Sequence, residues 1–159
     1  MYGSIRHEIR IHRPAADVWA LAGDAAKLHH WFPGVTDCTV DGNNRVIITG
    51  SGTPMPEEIL VCDNTQRRFQ YRLTIPIFKH HRGTIDVIDL GDDTSLVVYS
   101  TEADPRTMAL VIAGGTLGAL RELKRQMETA TDVHTNDVHT NGDANGNCNT
   151  TGDSTEGMN

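Results

Sequence analysis

Residues 104–128, DPRTMALVIAGGTLGALRELKRQME, carry the one long helical pattern in the chain. Ala109, Ile112, Ala113, Leu117, Leu120, Leu123 and Met127 recur at helical spacing. Asp104 and Pro105 suit the N-cap and first turn. The first half is apolar nearly all round, which predicts burial on several sides. The second half is charged outside its apolar stripe. Gly114, Gly115 and Gly118 sit in the middle. Each costs roughly 1 kcal/mol against Ala in a helix interior. They therefore predict a close approach to another backbone, or space left for something else.

What precedes this helix must cover it. SIRHEIRIH alternates, with Ile5, Ile9 and Ile11 on one face, and predicts a strand. RPAADVWALAGD predicts a helix opened by Pro14, with Val18, Trp19 and Ala22 as its apolar stripe. AAKLHHWF predicts a second short helix, capped by Asp24 and stopped by Pro33 and Gly34. Six short strands follow, with a hairpin signal at DGNN and turns at DNTQ and LGDDTS. In RRFQYRLTIPIF, Phe69, Tyr71, Leu73, Ile75 and Ile77 share one face. The predicted class is α+β: a curved seven-stranded antiparallel sheet around a long C-terminal helix, with two short helices after strand 1. One helix with three central glycines does not fill such a sheet. A cavity is the consequence, and apolar concave cavities are the usual small-molecule sites.

Four stretches together resemble the START/SRPBCC superfamily in its polyketide cyclase/dehydrase-like branch. They are IHRPAADVWALAGDAAKLHHWFPGV, EEILVCDNTQRRFQYRL, HHRGTIDVIDLGDDTSLVVYS and GGTLGALRELKRQM. The resemblance spans residues 3–128. It implies a helix-grip fold with a hydrophobic ligand cavity between the long helix and the concave sheet. Members bind lipids, sterols, hormones or polyketides, and only some are enzymes. A shorter likeness concerns SGTPMP at 51–56 and HHR at 80–82. These are similar to the gate and latch loops of plant abscisic-acid receptors in the same superfamily, which implies that both flank the cavity mouth.

Residues 1–128 are thus expected to form the ligand-binding domain. Residues 129–159 are Asn, Thr, Gly and Asp with almost no large apolar residue. They are expected to be a disordered acidic low-complexity tail. The tail repeats DVHTN, bringing His134 and His139 into the same motif, which reads as repeat slippage rather than a metal site. The net charge is −7. All 14 Lys and Arg lie in residues 1–128 beside 16 of the 21 acidic residues, so the tail holds most of the imbalance. No basic nucleic-acid face and no membrane insertion are expected. No signal peptide is visible. Cys38, Cys62 and Cys148 are too few and scattered for a disulfide framework or a paired-cysteine zinc site, so a cytoplasmic protein is expected.

Two histidine doublets stand out, His29–His30 and His80–His81. Neighbours on a helix point about 100° apart and neighbours on a strand point to opposite faces. Neither doublet readily offers two rings to one ion, so no metal and no cofactor is expected. If Tyr71 and Ile75 face the cavity, the next strand turns His81, Gly83, Ile85 and Val87 inward and His80 and Arg82 outward. Trp31, Phe32, Tyr71, Leu73, Ile75, His81, Ile85, Met108 and Ile112 are the expected ligand-binding residues. His81, Tyr71 and Glu102 are the candidates for acid–base chemistry, should the protein be an enzyme. Arg72 is expected to be solvated. The favoured function is binding of a small hydrophobic ligand of lipid, polyketide or isoprenoid type. A cyclase, dehydratase or hydrolase using the same cavity is the alternative, and a ligand-gated protein interaction module is another. The expected partner is a small molecule, and a homodimer stays open.

Overall fold

The computed structural model describes residues 1–129. Strand β1 (Gly3–Ile11) leads into α1 (Ala15–Ala22), a 3-10 turn (Ala25–Lys27) and α2 (Leu28–Trp31). Then come β2 (Val35–Asp41), β3 (Asn44–Thr49), β4 (Pro54–Asp63), β5 (Arg68–Leu73), β6 (His80–Gly91) and β7 (Thr94–Asp104), and finally α3 (Arg106–Thr129). The seven strands make one antiparallel sheet in the order β1-β7-β6-β5-β4-β3-β2. The short helices carry the chain from one edge to the other, and a meander returns it beside β1. This is the α+β sheet-and-helix arrangement that the order of elements predicts, and the helix-grip fold that the resemblance implies. The second short helix is a 3-10 turn followed by one α turn. Asp24 caps it, its carboxylate accepting from the Ala26 N–H at 3.0 Å.

The inward faces follow the two-residue period. Phe69, Tyr71 and Leu73 of β5, His81, Gly83, Ile85 and Val87 of β6, and Val97, Tyr99, Thr101 and Ala103 of β7 are buried. The run through Ile75 and Ile77 stops short. β5 ends at Leu73, and Ile77 is 55% exposed. Pro76 has no N–H to give a ladder, so residues 74–79 leave the sheet as a turn. That turn is tied to β4, where the Pro56 carbonyl accepts from the Thr74 N–H at 3.0 Å.

Helix α3 corrects two expectations. Asp104 stays in β7, paired with His80, and the Pro105 carbonyl accepts from the Met108 N–H at 3.0 Å, so the helix begins at Arg106. Its first half is not buried all round, because Leu110 and Val111 are 66% and 67% exposed. The helix packs on β1 and β7, which cover one stripe: Ala109, Ala113, Thr116, Ala119, Leu120 and Leu123. Among the described residues, no helix is long and apolar enough to cross a membrane.

The three glycines separate. A Cβ on Gly115 would lie 3.2 Å from Phe32 Cζ, while one on Gly114 or Gly118 would meet nothing within 4 Å. Gly114→Ala should therefore stabilise the fold by about 0.5–1 kcal/mol through helix propensity alone. Gly115→Ala should gain less or lose stability, since Phe32 must yield. Thermal melts of the two variants check this, and equal gains would contradict the contact.

Candidate functional site

The concave face carries a charged pair. Arg45 on β3 and Glu57 on β4 stand opposite each other in register. Their side chains are each 2% exposed, and Arg45 Nε donates to Glu57 Oε2 at 2.6 Å. Arg45 Nη1 donates to the Ala25 carbonyl at 3.3 Å. The guanidinium lies over the rings of Phe69 and Tyr71, 4.9 Å and 5.0 Å from their centroids. Burial pushes the Glu57 carboxyl up from its ordinary pKa, and Arg45 pulls it back only in part. Burial is the largest influence on Arg45 and works against its charge, but Glu57, Tyr71, Tyr99 and Cys38 together outweigh it and hold the guanidinium protonated.

Next to this pair, Tyr71 Oη and Tyr99 Oη are 2.7 Å apart and buried. Burial raises Tyr71 well above its ordinary value and Tyr99 to about 12. Both phenols are neutral at pH 7. The tyrosine pair depends on Gly83, where an added Cβ would fall 2.3 Å from the Tyr71 ring. Glycine at this point of β6 lets Tyr71 lie across the strand. Trp31 and Phe32 close the cluster from α2, with ring centroids 6.4 Å from Tyr99 in each case.

His81 sits at the end of this cluster, its ring 5.5 Å from that of Tyr71 and 5.3 Å from that of Phe78. Its Nδ1 accepts the Leu73 N–H at 3.1 Å. Burial, aided by His80, lowers its pKa to about 4, so the ring is neutral. Since Nδ1 is an acceptor, the proton resides on Nε2. Nε2 is buried and has no partner. His81 therefore presents a hydrogen-bond donor, and this tautomer has no free lone pair with which to act as a base. A volume of about 330 Å³ opens beside it, lined by the apolar Leu73, Ile75, Pro76 and Phe78 and by Arg72, Thr74, Lys79, His80 and His81.

Residues 2–130 match the family of polyketide cyclase / dehydrase and lipid transport proteins. The chain belongs to this family.

Solved structures share the fold. The protein XoxI from Bacillus cereus aligns with a TM-score of 0.75 at 19% identity, over 81% of this chain and 98% of that one. The Zhui aromatase/cyclase from Streptomyces sp. R1128 aligns at 0.69 with 15% identity, over 85% and 99%. A START superfamily protein from Mycobacterium smegmatis aligns at 0.66 with 14% identity, over 80% and 98%. No curated protein matches the chain.

Within this polyketide cyclase/dehydrase-family fold, the expected site residues divide. Trp31, Phe32, Tyr71, His81 and Ile85 lie at the concave face, and Leu73, Ile75 and His81 share the rim volume. Met108 and Ile112 are half-buried on α3. Glu102 is not among them. The inward phase of β7 belongs to Tyr99 and Thr101, so Glu102 points to the other face, 3.9 Å from His80 Nε2. Arg72 is outward and paired with Glu58. The HHR stretch is not a loop but the start of β6, and SGTPMP divides between the β3–β4 turn and β4.

The doublets also separate. The rings of His29 and His30 lie 4.3 Å apart, nearer than their helical spacing predicts, while His80 packs on Tyr2. Among the described residues no three His, Cys, Asp or Glu side chains gather as a metal site. His134 and His139 lie outside the described residues. Sequence reasoning missed Arg45 and Glu57. The signal was the phase of NRVIIT, where Arg45 alternates with the buried Ile47.

Proposed function

We propose that this protein binds a small hydrophobic ligand at the concave face of the sheet, entering beside residues 73–81. The rim volume of about 330 Å³ carries the reading, because it joins Leu73, Ile75 and Phe78 to His81 and so to the aromatic cluster behind it. A volume of that size falls at the lower end of small-molecule sites. The family described as including lipid transport supports the ligand class.

The uncharged fluorophore N-phenyl-1-naphthylamine tests the reading. Its emission should rise saturably at one probe per chain. Ile75→Asp, which places a carboxylate in the rim, should weaken binding at least fivefold. A wild-type protein that leaves the emission unchanged would sink the proposal.

Catalysis is the second reading, favoured only by the chain Glu57–Arg45–Tyr71–Tyr99. Its phenols and the His81 Nε2–H can donate protons or hydrogen bonds, and neutral Tyr71 and Tyr99 do not abstract them. A dehydration assisted by donors fits this chemistry better than one needing a strong base. In that case Tyr71→Phe lowers turnover of an aromatase/cyclase-type substrate at least tenfold.

A further inference from the structure

The two edge strands of the sheet, β1 and β2, finish it differently. A free strand edge presents unpaired N–H and C=O groups that template a further strand. β2 is guarded against this. A register shift between Val35 and Asp37 breaks its line, and its charged side chains, Asp37 and Asp41, have one sign. β1 instead keeps an unbroken register against β7 from Gly3 to Ile11.

Helix α3 covers one end of the β1 edge. Lys124 Nζ donates to the Arg10 carbonyl at 2.8 Å, and the His12 N–H donates to Glu128 Oε1 at 2.9 Å. These backbone groups turn away from β7. Alternation along the strand turns those of Ser4, Arg6 and Glu8 the same way, and no side chain of α3 bonds to them. Beside this free half runs a groove of about 370 Å³, lined by Ser4, Ile5, Thr107 and the exposed Leu110 among others.

The charges on the free half complement their own reversal. Arg6 and Glu8 share the outward face 3.5 Å apart, with side chains 67% and 54% exposed. A second β1, turned about a two-fold axis at His7, lies antiparallel to the first. Arg6 then stands opposite the partner's Glu8, and Glu8 opposite the partner's Arg6. The four charges form a square of alternating sign. On the other face the half-buried Ile5 meets the partner's Ile9, also half-buried, and His7 meets its own copy. Ser4 falls opposite the partner's Arg10, whose carbonyl Lys124 already holds, so the ladder stops there.

Other registers that keep the ladder bonds are worse. An axis at Arg6 sets that residue against its copy. An axis at Glu8 sets Glu8 against its copy and Arg6 against Arg10. Like charges directly opposite each other destabilise a sheet, so charge selects the axis at His7.

We propose that this chain forms a symmetric dimer in which β1 pairs antiparallel with β1 of a second copy, locked in register by Arg6 and Glu8. The surface lies apart from residues 73–81 and stands whether or not a ligand binds there.

Sedimentation velocity on the full chain at pH 7.5 tests it. The protein should move from monomer toward dimer as it is raised to about 300 μM. Arg6→Glu and Glu8→Arg each turn two attractions into two repulsions, and each should weaken the dimer roughly tenfold or more. Thermal melts of dilute samples should barely change, since both side chains are exposed. Mixed together, the two variants should associate with each other, because every opposed pair again has opposite sign. A protein that stays monomeric, reversals that leave the dimer intact, or two variants that fail to associate when mixed would overturn the proposal.

Discussion

Arg45→Ala should destabilise the protein by about 3–5 kcal/mol, the range for stranding one member of a buried ion pair. Glu57 would keep its burial and lose the guanidinium that donates to it at 2.6 Å. The rings of Phe69 and Tyr71 would lose the cation above them. Glu57→Ala should cost a similar amount, because Arg45 would then be the uncompensated charge. The double replacement Arg45→Met/Glu57→Leu should recover most of the loss, since well-packed apolar residues often replace a buried pair at no net cost. Denaturant unfolding of these proteins, with Arg45→Ala/Glu57→Ala added, closes a double-mutant cycle on the two alanine changes. Additive losses would show that the two charges do not depend on each other. A recovered double variant would show that stability alone does not require this pair, which suits a role in recognition.

Acid should weaken the protein through His81. The folded pKa is about 4, below the ordinary 6.5, because the ring is buried. Above pH 7 neither the folded nor the unfolded chain protonates the ring, and it contributes no slope. Between 6.5 and 4 the unfolded chain takes up a proton that the folded chain refuses, so stability falls as pH drops. At 1.36 kcal/mol per unit, the loss approaches roughly 3 kcal/mol by pH 4. His81→Asn, whose amide oxygen can still accept the Leu73 N–H, should lose this part of the slope. Glu57, with its raised pKa, acts in the opposite sense in both proteins and cancels in the difference. Unfolding free energies at pH 7.5, 6, 5 and 4.5 measure it. Parallel curves for the two proteins would show that His81 is not the group responsible.

The fold was legible because its strands keep strict alternation where they lie mid-sheet. On β6 the register holds without a break from His80 to Asp89, so His81, Gly83, Ile85 and Val87 fall inward as the pattern predicts. The Arg45–Glu57 pair was hidden for a physical reason. A charged residue next to a turn resembles a solvated one, and only the pairing of β3 with β4 brings the two opposite charges together away from water. A bulge between Ile59 and Val61 further blurs the phase of β4. Glu102 misled because both faces of β7 carry apolar residues. α3 misled because apolar composition marks which residues can be buried, while the neighbours actually present decide which are.

The central claim is that a hydrophobic ligand enters beside residues 73–81 and not elsewhere on the apolar surface. Leu110 and Val111 offer the obvious competitor, an exposed apolar patch on α3. Amide chemical shifts recorded while N-phenyl-1-naphthylamine is titrated into 15N-labelled protein separate the two. The account predicts saturable shifts at Leu73, Ile75, Phe78 and His81, extending to Tyr71 and Tyr99. Shifts confined to Leu110, Val111 and their neighbours would contradict it.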